Sequence, residues 1–220
     1  MLSMIVIILS GCAYKAKESL DFSPSAKEEL KQLLQKTSKI DTFDVTYIFR
    51  TNLAGQSLAD ITFRQIKQGN KQRQDAYGNM IGFNLSASSF IDDRKQITCA
   101  VFDKEWKCTI GNEICRETSK GKECQSVSQE NIPPSIRPEL LAKAKVARSS
   151  SKQLLGIAMQ CYKLITEEGG NEALTEVCLN QDGVILSMAI NAQLFQAIIE
   201  AISFSTNVQP DVFTLPAQLS

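Results

Sequence analysis

The sequence contains no histidine among its 220 residues. Histidine is the side chain that titrates nearest to neutral pH, and it is the commonest metal ligand in proteins. Its absence excludes a Ser-His-Asp triad, a Cys-His dyad and a histidine-ligated zinc site within this chain. We therefore expect no catalytic residue, no metal site and no cofactor, which makes an enzyme the least favoured class.

An excess of charge of either sign is also missing. The chain has 24 Lys and Arg against 24 Asp and Glu. A nucleic-acid-binding protein shows a basic surplus or patch, and recognition of anionic lipid needs clustered Lys and Arg. The charge balance therefore predicts that nucleic acid is not a partner. No apolar run approaches the roughly 20 residues of a membrane-spanning helix.

Complete catalytic motifs are lacking as well. Residues 149–152, Ser-Ser-Ser-Lys, match the Ser-x-x-Lys pattern of penicillin-binding proteins. The Ser-Asp-Asn and Lys-Thr-Gly motifs that accompany it in those enzymes are not in the sequence. We therefore interpret this stretch as a polar turn.

A short apolar run near the start ends in Leu9-Ser10-Gly11-Cys12. This pattern resembles the end of a bacterial lipoprotein signal, which implies cleavage before Cys12 and a diacylglycerol thioether on its sulfur. No Lys or Arg precedes the run, although a positive start is usual, so either the true start lies upstream or export tolerates this one. Residues 1–11 are then the signal peptide, and residues 12–24 are the lipidated cysteine and a polar tether.

The anchor predicts where the protein resides. One acyl chain binds a membrane only marginally, whereas two or more anchor a protein stably, and a lipoprotein cysteine carries at least two. We therefore expect an extracytoplasmic protein held on the cell membrane by Cys12.

Six further cysteines remain once Cys12 is set aside from the total of 7. An even number outside the cytosol predicts three disulfides, with fifteen connectivities open to the sequence alone. No two of them have the Cys-x-x-Cys spacing of a zinc cluster. The six are Cys99, Cys108, Cys115, Cys124, Cys161 and Cys178.

Hairpin geometry selects among these connectivities. Residues that face each other in a β-hairpin have a constant sum of residue numbers, and each sequential pair of cysteines is centred on a polar turn. Directly opposed residues in non-hydrogen-bonded pairs stand at a Cα separation that a disulfide accepts. We therefore predict Cys99–Cys108, Cys115–Cys124 and Cys161–Cys178.

Hydrophobic periodicity predicts one helix followed by many strands. Ser25 and Glu28 form a capping box ahead of a helix over about 26–38, whose leucines recur at helical spacing. From residue 40 onward the pattern alternates in segments separated by polar turns, which indicates antiparallel strands. A short helix is predicted within 139–147. Residues 194–205 are ambiguous, and we interpret them as a short helix followed by a strand from about Ala197.

This order of elements resembles a LolA-like lipoprotein domain over roughly residues 26–217. The residues that carry the resemblance are Trp106-Lys-Cys108, Cys161-Tyr162, Val177-Cys178-Leu179, Asp182-Gly183 and the closing stretch Phe213–Ala217. Similar proteins include lipoprotein-localisation factors, periplasmic domains of sigma-E regulators and mycobacterial glycolipid carriers. The resemblance implies that residues 25–220 form one domain of the α+β class, mainly β. Its strongly curved antiparallel sheet, a half-barrel, would have a few helices covering an apolar cavity.

The resemblance and the strand pattern together give candidate ligand-binding residues. Trp106, the only tryptophan, shares a predicted strand face with the neighbouring apolar residues, and we expect that face to border the cavity. The candidates are Phe83, Leu85, Phe90, Ile97, Val101, Trp106 and Ile110. The alternative is that these residues simply form a filled core.

Two functions are consistent with the sequence. The first is a membrane-anchored lipoprotein that binds a lipid or acyl chain in the cavity. The second is a structural, sensor or interaction lipoprotein of the cell envelope without a ligand cavity, whose partner is another envelope protein. Binding of extracted lipid by the purified protein distinguishes them.

Overall fold

The computed structural model describes residues 20–217, apart from 38, 81–82, 93–94, 103, 112, 119–120, 127–135 and 169–170. In strands β7 and β8 it describes the backbone alone. The chain is mainly antiparallel β-sheet with two short α-helices, as the sequence predicts. No helix within the described ranges is long and apolar enough to cross a membrane.

One helix precedes eight strands, and a second helix precedes six more. The first half comprises α1 Pro24–Thr37, β1 Thr42–Leu53, β2 Gln56–Gln68, β3 Lys71–Met80, β4 Phe83–Asp92, β5 Lys95–Phe102, β6 Glu105–Ile110, β7 Glu113–Thr118 and β8 Gly121–Ser126. The second half comprises α2 Pro138–Lys143, β9 Lys145–Arg148, β10 Lys152–Leu154, β11 Ile157–Glu168, β12 Asn171–Leu179, β13 Ile185–Ala192, β14 Phe195–Ser205 and a 3₁₀ turn, Pro210–Phe213.

Twelve of the strands form one open antiparallel sheet. Its order is β10-β11-β12-β13-β14-β1-β2-β3-β4-β5-β6, and β9 pairs with β11 beside this path. The last strand, β14, therefore lies between β13 and β1 and joins the two meanders. Strands β7 and β8 form a separate hairpin.

The predicted hairpin registers are confirmed. Cys161 lies opposite Cys178, Cys99 opposite Cys108, and Cys115 opposite Cys124. Two of the predicted disulfides are present, Cys99–Cys108 and Cys161–Cys178, each with a Cα–Cα distance of 4.0 Å. The side chains of the third predicted pair lie outside the described residues. Each bond should add about 2–4 kcal/mol to the free energy of unfolding, because it restricts the unfolded chain.

The N-terminus of α1 differs from the prediction. The helix begins at Pro24, and the Oγ of Ser23 accepts a hydrogen bond from the amide of Ala26 at 3.2 Å. Ser23 is thus the N-cap, and proline fits the first helical position because its missing N–H has no partner there in any case. The N-cap predicted at Ser25 therefore lies two residues earlier, at Ser23.

The prediction of a helix after Leu194 was wrong. Residues 195–205 form the strand β14 throughout, because both of its edges are paired, to β13 and to β1. The apolar residues of this segment fit either period, and the neighbouring strands supply the backbone partners that decide between them.

The main core lies on the face of the sheet that α1 covers, which we call the inner face. The inner face is defined by five buried residues, which are Val45, Tyr47 and Phe63 from the first meander and Tyr162 and Val177 from the second. Leu30 of α1 is fully buried in the same cluster. Strands from both halves of the sheet therefore contribute to one core with this helix. We call the opposite side the outer face.

Candidate functional site

A cavity of about 230 Å³ lies between the C-terminal half of α1 and the inner face of the sheet. Leu34 and Thr37 of α1 form one wall, and Phe43 and Tyr47 of β1 form another. The complete lining is Leu34, Thr37, Phe43, Tyr47, Gln65, Ile136, Gly183, Val184 and Ile185. Most of these side chains are apolar, which is typical of sites that bind apolar ligands.

The two hydroxyl groups in the lining are bound to the protein itself. The buried Tyr47 hydroxyl donates to the carbonyl oxygen of Ile185 at 2.8 Å, and the Thr37 hydroxyl donates to the carbonyl oxygen of Gly183. Burial raises the pKa of the Tyr47 hydroxyl, which therefore stays protonated and keeps its role as a donor. These two hydroxyls therefore have their donors engaged within the protein.

A pair of glutamines forms the polar side of this region. Gln65 lines the cavity, and Gln74 lies directly opposite it on β3. The amide oxygen of Gln74 is buried and has no hydrogen-bond partner in the described part of the chain. Leaving a buried acceptor unpaired costs about 1–3 kcal/mol, so a donor from water or from a ligand would be favourable beside this amide oxygen.

The turn between β12 and β13 holds the C-terminus of α1 in place. The side-chain oxygen of the buried Asn180 accepts hydrogen bonds from the amides of Asp182 and Val184, at 3.1 and 2.9 Å. Lys36 donates to the carbonyl oxygen of Gln181 at 3.4 Å. One wall of the cavity is therefore fixed by hydrogen bonds from helix side chains to main-chain carbonyl oxygens of this turn.

We predict that Tyr47→Phe lowers the free energy of unfolding by about 1–2 kcal/mol, because the carbonyl oxygen of Ile185 loses its buried donor. Urea unfolding monitored by circular dichroism measures this change. Tyr77→Phe is the matched control, since Tyr77 is 48% exposed and should change stability by less than about 0.5 kcal/mol.

The raised pKa of Tyr47 predicts that Tyr47→Phe also changes how stability depends on pH. The hydroxyl has an ordinary pKa of 10.0 and a higher one in the folded protein. Its contribution to stability is therefore complete below pH 10 and is lost as the pH rises further. Tyr47→Phe should remove this alkaline loss, and a loss equal to that of the parent protein would contradict the role assigned to the hydroxyl.

The residues that the sequence suggested as ligand contacts lie elsewhere. Strand pairing connects Cys99 through Ser88, Asp75 and Arg64 to Thr46, whose side chain points away from Val45 and Tyr47. The predicted residues that lie two positions from this row along the same strands share its face, which is the outer face. They are Phe90, Ile97, Val101, Trp106 and Ile110, and none of them is among the residues that line the cavity beside α1. The side chains of Phe83 and Leu85 lie outside the described residues.

Internal packing explains the apolar character of this outer row. Phe90 and the Cys99–Cys108 disulfide are buried in a small cluster, against which Trp106, Leu215 and Ala217 pack. The closing segment of the chain thus covers part of the outer face.

An arginine holds that closing segment in place. The guanidinium of Arg73 lies 4.9 Å from the ring centroid of Phe90 and donates to the carbonyl oxygen of Val212. Phe90, Ile97 and Trp106 therefore belong to a second, smaller core, as in the filled-core alternative, whereas Ile110 is 74% exposed.

The Ser-x-x-Lys stretch has a structural role. The Ser149 hydroxyl donates to one carboxylate oxygen of Glu176 at 3.1 Å, and Lys152 donates to the other. This arrangement places both residues against a carboxylate on the neighbouring strand, which supports the interpretation of a polar turn.

Sequence reasoning missed most of the cavity lining. Leu34 was expected on an apolar helical stripe, whereas Ile136 and the turn residues Gly183 and Val184 carried no sign of a binding role. Asp182-Gly183 contributed to the family resemblance, and it was the available signal that this turn matters. The lining comes from segments far apart in the chain, which periodicity within one segment cannot connect.

No model of a protein family matches the sequence, and neither does the sequence of any curated protein. Among solved structures, MucB is similar over 86% of this chain and 64% of its own, with 12% identity and a TM-score of 0.51. The complex of MucA and MucB from Pseudomonas aeruginosa is similar over 88% of this chain and 63% of that one, with 10% identity and a TM-score of 0.51. This chain therefore spans less than two thirds of the length of the MucB structures.

A mycobacterial lipoprotein of similar length also matches. LppX of Mycobacterium tuberculosis is similar over 85% of this chain and 99% of its own, with 12% identity and a TM-score of 0.48. At such low identity a structural likeness shows the fold alone. The likeness to MucB, with a TM-score of 0.51, shows that this chain shares the fold of that protein.

Proposed function

We propose that this protein is a membrane-anchored, extracytoplasmic lipoprotein that binds a lipid or acyl chain between α1 and the inner face of the sheet. The observation that carries the proposal is the cavity beside Leu34, Tyr47 and Ile185, with its largely apolar lining and internally satisfied hydroxyls. The resemblance of the sequence to LolA-like lipoproteins supports it, because that resemblance implies a cavity between sheet and helices. No catalytic residue is part of the proposal.

The size of the cavity indicates how much of a ligand it holds. Its volume of about 230 Å³ is below the roughly 300–1,000 Å³ of sites that enclose a whole drug-sized ligand. We infer that it takes a segment of one acyl chain and leaves the rest of the lipid outside. Six methylenes would contribute about 5 kcal/mol at ~0.8 kcal/mol each, before ordering costs.

The glutamine pair supports a ligand with a polar group next to its chain. The unpaired amide oxygen of Gln74 lies opposite Gln65, which lines the cavity. A hydroxyl or amide N–H of a lipid that entered beside Gln65 would supply the donor that this region lacks.

The two disulfides support an extracytoplasmic location. Such bonds persist in oxidising environments, including the periplasm and cell surfaces, and are rare in the cytosol. Anchoring through Cys12 remains a prediction from the sequence, since residues 1–19 lie outside the described part of the chain.

Filling the cavity tests the binding role. Leu34→Trp places a larger side chain in the lining, and we expect it to weaken binding of cis-parinaric acid, a fluorescent fatty acid, at least about tenfold in the full-length protein. Gln32→Trp is the matched control, because Gln32 is exposed on the same helix and should bind the probe as the parent protein does. Fluorescence titration measures both, and circular dichroism checks that each variant is folded.

Two results would contradict lipid binding. One is equal affinity of the parent protein and folded Leu34→Trp. The other is a parent protein that binds neither the probe nor lipid detectable by native mass spectrometry after purification. The second result would favour the alternative function, a sensor or interaction lipoprotein whose partner is another envelope protein.

A further inference from the structure

Five strand connections lie at one end of the large sheet. Pairing of Leu53 with both Phe195 and Gln56 places the β13–β14 and β1–β2 connections side by side. Pairing of Ala59 with Met80 places the β3–β4 connection next to them. The β11–β12 and β5–β6 connections flank these three, one on each side, according to the strand order.

The three central connections carry no charge. They belong to the uncharged stretches 183–199, 51–59 and 76–91, in a chain with 22% charged residues. The two flanking connections are charged, with Glu167 and Glu168 on one side and the sequence Asp-Lys-Glu at 103–105 on the other. An uncharged centre with charged margins is thus built from segments that are distant in sequence.

Large apolar side chains protrude from this uncharged centre. Leu194 is 64% exposed and Leu53 is 44% exposed. The amide of Ala54 donates to the carbonyl oxygen of Leu194 at 2.8 Å, which joins the two turns into one unit. We call the residues 53–56 and 192–195 the apolar tip. Two leucines fixed together differ from the singly scattered apolar residues that any protein surface carries.

The opposite end of the sheet has a different character. Three of its connections contain or adjoin charged residues, Lys71 for β2–β3, Asp92 for β4–β5 and Asp182 for β12–β13. The β10–β11 turn is uncharged and exposes a single leucine, Leu155, with Lys152 three residues before it. The asymmetry concerns the two ends of the same strands, so it gives the domain an orientation. Transfer out of water is unfavourable in free energy for charged groups and favourable for leucine side chains.

We infer that the apolar tip contacts the surface of the membrane and orients the domain on it. Leucines at an uncharged tip can enter the boundary between headgroups and acyl chains, while charged neighbours remain in the headgroup region, as in interfacial membrane segments generally. The neutral tip fits zwitterionic lipid and needs no anionic headgroup. The cavity is lined by Phe43, Gln65 and Ile185, which lie toward the opposite end of their strands, so this contact leaves it unobstructed.

The predicted lipid anchor favours a bilayer over a protein partner as the surface that the apolar tip contacts. The inference rests on the anchoring part of the proposed function, since a lipid on Cys12 would keep the domain beside a membrane. It is independent of whether the cavity binds a ligand.

Quenching by brominated lipid tests the contact. Full-length protein carrying Trp106→Phe and Leu194→Trp is reconstituted into phosphatidylcholine vesicles, with or without bromine on the acyl chains near the headgroup. We expect bromine to reduce tryptophan emission at least about twofold, because the quencher acts only at short range and the tip lies at the interface. The matched control is Trp106→Phe with Leu155→Trp, a leucine that is 46% exposed in the β10–β11 turn at the opposite end. Its emission should not change.

Vesicle flotation separates the outcomes. Protein that floats with the vesicles but shows no quenching of the Leu194→Trp variant, or equal quenching of both variants, overturns the apolar tip as a membrane contact and leaves anchoring intact. Protein that does not float with the vesicles overturns both the proposed anchoring and the contact of the apolar tip. Circular dichroism confirms that both variants are folded, so that quenching reports position.

Discussion

Gly183→Ala is expected to lower the free energy of unfolding by about 3 kcal/mol, through strain and overpacking together. Gly183 has φ +83°, a conformation that costs an alanine about 1–2 kcal/mol. A Cβ atom at this position would lie 1.8 Å from the carbonyl oxygen of Leu33 and 2.9 Å from the Thr37 hydroxyl oxygen. The helix backbone would have to move away from the β12–β13 turn.

Gly55→Ala separates the two causes. Gly55 has the same φ of +83°, but a Cβ there would have nothing within 4 Å. We expect this variant to lose only about 1 kcal/mol, since it carries the backbone strain without the clash. Urea unfolding of both variants gives the difference directly. Equal losses would show that α1 does not press on Gly183 as the structure indicates.

Gly183→Ala also connects stability with the proposed function. Because Leu34 and Thr37 line the cavity and the helix end rests on Gly183, a displaced helix should also alter the cavity. We expect Gly183→Ala to weaken binding of the fatty-acid probe, whereas Gly55→Ala should leave it unchanged.

Cys12→Ser is expected to abolish lipid anchoring, because serine lacks the sulfur that carries the diacylglycerol. The protein should then move to the soluble fraction or remain with its signal peptide attached. Fractionation of cells followed by mass spectrometry of the N-terminus measures both outcomes. Loss of both acyl chains removes about 0.8 kcal/mol for every buried methylene, so the effect on retention should be nearly complete.

Ser10→Ala is the control for this experiment. It changes the same segment but keeps a small residue before the cleavage position, as signal peptides require. It should be processed and retained like the parent protein. Normal membrane retention of Cys12→Ser with a mature N-terminus would rule out Cys12 as the anchor.

Local pairing was predictable from the sequence because a hairpin fixes its own register. The polar turns define the centres about which Cys99 faces Cys108 and Cys161 faces Cys178, and both bonds are present. Alternation along β1 and β2 likewise placed apolar residues on one face of each strand. These features depend on neighbours within about 20 residues, so a linear pattern contains them.

The position of the cavity was not predictable in this way. Trp106 and its neighbours have the same alternation whether they face α1 or the closing segment of the chain, since a period of two says nothing about which face is inside. The pairing of β14 between β13 and β1 joins the two meanders into one sheet, and the contact of Arg73 with Val212 fixes what covers the outer row.

The sequence by itself thus determined the fold class, the hairpins, the disulfide pairs and, through Cys12, the expected anchor, because each depends on residues close together in the chain. Only the tertiary structure decided where the inner face lies, which distant segments line the cavity, and that the uncharged β1–β2 and β13–β14 turns meet at one end of the sheet. These features depend on long-range strand pairing. A pairing between β1 and β14 joins residues some 150 positions apart, and no local periodicity encodes such a contact.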